Sequence, residues 1–135
     1  VKSLDTAIYE MTDEMAAGRF DRALEKLREL SAMGYEPVVL SASVCRQMLR
    51  LYSARLCADE GKTTRYLMEL WGMRSPYPAE KLLGAAGRFS PDVLRQALIA
   101  CGEGDFMLKS APGDKDKILE TTLLRIALLL KGAAA

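Results

Sequence analysis

The residue types that most often carry out chemistry are sparse in this chain. It has no histidine, and its three cysteines, Cys45, Cys57 and Cys101, form no close pair and no metal-ligand spacing in the sequence. Adjacent carboxylates, such as Asp13-Glu14 and Asp59-Glu60, fall at predicted helix ends, where charge normally meets solvent. Acid–base catalysis needs two carboxylates set across a cleft with shifted pKa values. The sequence therefore predicts no catalytic residue, no metal site and no cofactor.

The tripeptide Gly61-Lys62-Thr63 resembles the end of a phosphate-binding loop. Such a loop needs a glycine five residues before Gly61, where this chain has Leu56, and a strand in front of it. A long helical pattern precedes it instead. We therefore interpret Gly61 as a helix C-terminus and Thr63 as the N-cap of the next helix.

Length and composition favour one ordinary globular domain. The 135 residues carry a net charge of +1, and half of them are hydrophobic. We expect a single domain over residues 1–135. Because the chain begins at Val1 rather than Met, we also expect it to be a fragment of something larger. The near-zero charge gives no strong electrostatic footprint for nucleic acid. Unpaired cysteines favour a reducing, cytoplasmic location, and no apolar run is long enough to predict a membrane span.

The hydrophobic pattern is helical almost throughout, and it predicts an all-α bundle of about seven helices. Predicted N-caps at Ser3, Thr63 and Ser90, together with prolines and glycines, divide the chain into helices. The sixth helix contains Gly102 and Gly104, which predict a bend. The predicted helices cover residues 3–17, 21–33, 37–60, 63–71, 76–89, 91–109 and 115–131, and Leu24 is expected to face inward in the second. The predicted core residues are Leu27, Leu30, Val44, Met48, Leu51, Phe89, Leu94, Leu98, Leu123 and Ile126.

The third predicted helix has a wide apolar face and a narrow polar one. Leu56 belongs to the apolar face, and Ser43, Arg46 and Arg50 belong to the polar face. Arg55 falls in the apolar stripe. We interpret it as an arginine whose charged end reaches solvent near the helix terminus, and a buried functional ion pair is the alternative.

The fourth and fifth predicted helices, with the turn between them, could form a helix-turn-helix. The start of the second helix would then enter the major groove of DNA, where Tyr77, Pro78 and Glu80 are poor base readers. Lys62, Arg65, Arg74 and Lys81 are the phosphate contacts that this hypothesis offers. A DNA-binding module is therefore the alternative function, and a small enzyme using Lys, Asp, Glu or Cys is a weaker third.

Several stretches match the pattern of one known family. Residues 24–37 resemble its segment A-L-x-L-L-x-x-L-x-x-x-G-x-x-P, and residues 45–51 resemble A-R-Q-x-R-x-L. Residues 81–90 resemble a lysine-initiated run ending R-x-F-S, residues 94–110 a helix ending D-x-x-L-K-S, and residues 120–125 the closing L-E-x-L-L-L-R-L. In this order the stretches resemble the C-terminal helical domain of the delta subunit of bacterial DNA polymerase III.

That resemblance implies a collar domain without catalysis of its own. In the family, the collar holds delta to the gamma/tau and delta-prime subunits in a circular pentamer. This complex is part of the DNA polymerase III holoenzyme, and it loads the sliding clamp onto primed DNA using ATP bound by other subunits. The N-terminal domains of delta, which this chain lacks, grip the clamp, so the resemblance implies that the chain is a C-terminal fragment of a longer subunit. The implied partners are thus protein subunits, with DNA contacted only indirectly, and neither a membrane nor a small-molecule substrate.

A collar domain must offer apolar surface to its neighbours, and the last predicted helix has apolar residues to spare. Leu124 and Leu128 lie off the stripe that forms the core. We predict that they contact a neighbouring subunit, with Arg46 and Arg50 as charged contacts at the rim. The alternative is that both leucines are buried and both arginines are solvated.

Overall fold

A computed structural model describes residues 3–134 of the chain, and this part contains seven α-helices and no strand. The all-α prediction is confirmed. The helices are α1 (Leu4–Ala16), α2 (Phe20–Ala32), α3 (Pro37–Asp59), α4 (Thr64–Trp71), α5 (Pro76–Ala86), α6 (Pro91–Ser110) and α7 (Lys115–Ala134).

Hydroxyl side chains and glycines set the helix ends. The side chains of Ser3, Thr63 and Ser90 each accept a hydrogen bond from the backbone N–H three residues later. Gly61 lies at φ +72°, a left-handed conformation that residues with a side chain rarely adopt. The structure thus supports reading residues 61–63 as a helix end and an N-cap, because α3 rather than a strand precedes them.

One predicted helix end is wrong. The fifth helix ends at Ala86 rather than near Phe89, because the chain turns at Gly87 and buries Phe89 after the turn. The sixth helix continues without interruption through Gly102 and Gly104. Gly104 lies where α7 approaches most closely, so a side chain there would collide with Thr122. Its absence permits close packing and does not end the helix.

Helices α3 and α6 form the centre of the molecule. Helix α3 is 23 residues long, and it packs against α6, α5 and α1. Helix α6 lies between α3 and α7, while α2 packs mainly on α1 and α4 on α5. Each central helix therefore needs apolar residues on more than one side.

The predicted core residues are buried, with the exception of Leu98. Leu98 is half-buried at the edge of the inward stripe of α6, and Leu24 is likewise only half-buried on α2. Helix α7 adds further buried positions. They are Leu119, Ala127 and Leu130.

The predicted division of α3 into an apolar and a polar face is only partly right. Ser43 is buried and Arg50 is half-buried, because α1 and α5 pack against this side of α3 as well. Leu56, assigned to the apolar face, is exposed. Arg55 keeps its charged end at the surface, where its Nε donates to Asp59 Oδ2 at 3.3 Å and its Nη1 donates to the Gly87 carbonyl.

Candidate subunit interface

Helix α7 has two apolar sides. Leu123, Ile126 and Leu130 face the core and are buried. Leu124 and Leu128 lie one turn apart on the outer side, with 42% and 60% of their surface exposed. The alternative in which both leucines are buried is therefore not what the fold produces. Among the described residues, none covers this exposed part of the two side chains, and their role in an interface stays a prediction.

Helix α6 also has an outer apolar side, which the sequence analysis did not single out. Phe106 is 70% exposed, and Ile99 and Met107 are exposed as well. Ile99 and Phe106 are seven residues apart, two helical turns, and lie off the stripe formed by Leu94, Cys101 and the other buried positions of α6. That spacing is the signal that could have revealed them.

The outer sides of α6 and α7 adjoin. Arg125 Nη2 of α7 lies 3.2 Å from Glu103 Oε1 of α6, and this exposed ion pair fixes which parts of the helices are neighbours. A shallow groove of about 490 Å³ follows the pair, with Ile99, Phe106 and Met107 along it. We refer to Ile99, Phe106, Met107, Leu124 and Leu128 as the α6–α7 face.

The two predicted rim arginines lie elsewhere. Arg46 Nη1 donates to Asp5 Oδ1 of α1 at 2.9 Å. The guanidinium of Arg50 lies over the ring of Trp71, at the end of α4, 5.3 Å from its centroid. Arg46 thus contacts α1 and Arg50 contacts α4, whereas Leu124 and Leu128 belong to α7. The structure does not bring the four predicted residues together in one cluster.

Comparison with known proteins decides the family. A sequence profile described as the C-terminal domain of the DNA polymerase III delta subunit matches residues 5–126. The chain belongs to this family.

The fold comparison agrees. The fold is similar to that of the Bacillus subtilis DNA clamp loader delta protein YqeN, with a TM-score of 0.86 at 20% sequence identity. The match covers 95% of this chain and 38% of that protein, so the delta-family domain spans well under half of the relative's length. No curated protein sequence matches the chain.

In this delta C-terminal domain, the cations offered for a helix-turn-helix are partly engaged by neighbours. Lys81 Nζ lies 4.8 Å from the ring centroid of Tyr9. Arg65 Nε lies 3.5 Å from Glu69 Oε1, and Lys62 Nζ lies 5.0 Å from the ring of Tyr66. Within the described part of the chain, only Arg65 of these three cations is paired with a carboxylate, while the rings orient Lys62 and Lys81 without neutralising their charge.

Two of the three thiols of the delta C-terminal domain meet although they are far apart in sequence. Cys45 of α3 lies beside Cys101 of α6, and hydrogen bonding to the Cys101 thiol lowers the pKa of Cys45. The same hydrogen bond, together with burial, raises the pKa of Cys101. All three cysteines are free thiols. Sequence spacing could not reveal this pair, because it depends on how α3 and α6 pack.

Neither metal-ligand clusters nor spanning helices occur in the described part of the delta C-terminal domain. Among residues 3–134, no three His, Cys, Asp or Glu side chains converge as metal ligands would. No helix in the same range combines the length and the apolar character needed to cross a bilayer.

Proposed function

We propose that the chain is a collar domain through which a clamp-loader delta subunit assembles with its neighbours, and that residues 1–135 act as one domain. Membership of the delta C-terminal family supports the collar role, and the exposed α6–α7 face supports assembly with neighbours. The single apolar core that the helices share supports one domain. Exposed apolar clusters of this kind mark protein contacts in soluble proteins. The proposal assigns the domain no reaction of its own and places it in the DNA polymerase III holoenzyme.

The proposed partners are gamma/tau and delta-prime subunits. Contact with the sliding clamp would come from domains outside this chain, and contact with DNA would be indirect. The α6–α7 face suits a protein partner because Ile99, Phe106 and Met107 line one groove with the exposed Glu103–Arg125 ion pair. Leu124 and Leu128 add exposed apolar surface on α7. Protein interfaces commonly combine an apolar centre with charged groups that fix orientation.

The test is binding to purified gamma/tau and delta-prime subunits, measured by calorimetry. The double variant Leu124→Ser with Leu128→Ser, and separately Phe106→Ser, should each weaken binding at least about tenfold, because contacts at the centre of an interface commonly contribute over 1 kcal/mol. Met33→Ser is the matched control, since Met33 is equally apolar and exposed but lies after α2. Circular dichroism should stay unchanged in all variants.

Two outcomes would contradict the interface assignment. Unchanged binding of both variants would remove the α6–α7 face from the interface. Loss of helicity in the leucine variant would show that Leu124 and Leu128 stabilise the fold instead. Replacing Arg46 with Gln in the same assay tests whether the α1–α3 side takes part, and equal binding would exclude this rim contact.

The DNA-binding alternative is tested by a gel shift with random duplex at low and moderate salt. The collar proposal expects no tight binding. Tight, salt-sensitive binding that disappears when Arg65, Arg74 and Lys81 are replaced would favour the helix-turn-helix instead.

A further inference from the structure

A second groove, of about 340 Å³, lies between α1, α3 and the start of α5. We call it the α1–α3–α5 groove. It differs from the α6–α7 face in composition, because two cations and two tyrosines line it beside Met73, Pro78 and Leu82. The cations are Arg50 and Lys81, and the tyrosines are Tyr9 and Tyr77. Its volume is within the range of pockets that bind small groups.

The planar guanidinium of Arg50 packs against an aromatic ring, which holds the side chain in the groove. Its guanidinium lies 5.3 Å from the centroid of Trp71, an arrangement that stacks the ring against one face of the cation. Arg50 Nε and Trp71 Nε1 are both buried without a hydrogen-bond partner among the described residues. Because Arg50 Nε is enclosed, a ligand in the groove would meet the guanidinium through its other donors, on the side of Arg50 that lines the groove. A carboxylate matches the donor edge of a guanidinium.

Lys81 supplies the second charge. Its Nζ lies 4.8 Å from the ring of Tyr9 and 5.4 Å from that of Tyr77. The rings orient the ammonium group without neutralising it, and no described carboxylate pairs with it. The one acid lining the groove is Asp5, which Arg46 already engages at 2.9 Å. The groove therefore carries positive charge that the domain itself does not balance.

We propose that the α1–α3–α5 groove binds an acidic peptide segment of a partner protein. Its carboxylates would meet Arg50 and Lys81, and an apolar side chain next to them would pack on Met73, Pro78 and Leu82. Nucleic acid fits less well, because phosphate binding is driven by several cations along a track, whereas here two cations stand beside an apolar wall. The inference does not depend on the collar assignment or on the α6–α7 face.

Trp71 provides the measurement, because it is the one tryptophan in the chain and stacks with Arg50. The probe is the synthetic peptide acetyl-Asp-Leu-Glu-Phe-Asp-amide, titrated while Trp fluorescence is recorded. Saturable change is expected. The control peptide, with Asn and Gln in place of the acids, should bind at least about tenfold more weakly, because hydrogen bonds to charged groups contribute more than neutral ones.

Variants locate the binding. Arg50→Gln and Lys81→Gln should each weaken it about tenfold, since each removes one charged contact. Arg65→Gln is the matched control, because the Arg65 side chain is 88% exposed on α4 and outside the groove, and its effect should stay under about twofold. Because Arg50 stacks on Trp71, replacing Arg50 also alters the fluorescent probe itself. Tyr77→Ala is therefore a further variant that leaves the Arg50–Trp71 contact in place. Tyr77 is 64% exposed, so its removal should weaken binding without unfolding the domain.

Each contrary result overturns the proposal. One such result is a Trp fluorescence that shows no saturable change at millimolar peptide. Another is equal binding of the neutral peptide. The third is undiminished binding by the folded Lys81→Gln and Tyr77→Ala variants. A ten-nucleotide oligothymidylate that binds more tightly than the peptide, and is lost in the same variants, would assign the groove to single-stranded DNA instead.

Discussion

Helices α6 and α7 each have an inner and an outer apolar side, and the two sides differ in packing. On the inner side, Gly104 lets Thr122 approach so closely that a Cβ would lie 2.6 Å from its Cγ2. On the outer side, Phe106 and Leu128 remain exposed. Apolar residues occur on both sides, so hydrophobicity alone does not distinguish the side that stabilises the fold from the side left open to a partner. Side-chain size at the contact makes the distinction, because only the inner side packs closely against a neighbouring helix of the same chain.

The largest effect should separate Ile126 from Leu128, two positions apart on α7. Ile126 is fully buried, so Ile126→Ala should lower the free energy of unfolding by about 2–5 kcal/mol through lost contacts and a cavity. Leu128→Ala should change it by less than about 0.5 kcal/mol. Urea denaturation of the two variants measures both. A comparable loss for Leu128→Ala would mean that the outer side is packed after all.

The two glycines of α6 should respond with opposite sign. Gly104→Ala forces α6 and α7 apart and should destabilise the fold by about 1–3 kcal/mol. Gly102→Ala meets no atom within 4 Å and should stabilise the helix by about 0.5–1 kcal/mol. Thermal unfolding of both variants is the measurement. Equal effects would show that the inner side does not depend on close approach at Gly104.

The reactivity of Cys45 and Cys101 toward alkylation tests the packing of the inner side of α6 against α3. The hydrogen bond from Cys101 lowers the pKa of Cys45, so the thiolate of Cys45 should form at lower pH than that of an ordinary thiol. Burial and the same bond raise the pKa of Cys101. Alkylation followed by mass spectrometry across pH should modify Cys45 first and Cys101 only on unfolding. Cys101→Ser should change the pH at which Cys45 reacts, whereas Cys57→Ser should not.

The smallest effect is expected at the outer ion pair. Glu103 and Arg125 are both largely exposed, so Glu103→Gln should change stability by less than about 1 kcal/mol, with the difference reduced by salt. Denaturation at low and high ionic strength measures it. A loss that persists at high salt would indicate that this pair contributes to the packing of the two helices.

The fold was largely predictable because its signals are local. Ser3, Thr63 and Ser90 cap helices as expected, and the inward stripes of α6 and α7 were read correctly apart from Leu98. The outcome at Gly104 was not predictable, because a glycine that breaks a helix and one that admits a neighbouring helix look identical in sequence. Local pattern therefore determined the elements but not their contacts.

The candidate site was predictable only in part. The exposure of Leu124 and Leu128 could be predicted because both lie off the stripe that forms the core. Phe106 was not predicted, because α6 is long and charged residues separate the apolar residues of its outer side. Arg50 was read as solvated or at a rim, whereas its partner Trp71 comes from another helix. Such pairings across helices depend on tertiary packing, which one sequence does not display.

The attachment of α4 has a consequence for amide hydrogen exchange. Helix α4 is eight residues long and fully buries only Leu67, whereas α6 is enclosed by α3 and α7. Segments with few buried contacts open locally, at a lower free energy than global unfolding. The amides of α4 should therefore exchange well before those of α6. Each local opening would part Trp71 from Arg50, so the aromatic support of the α1–α3–α5 groove would fluctuate at the rate set by α4.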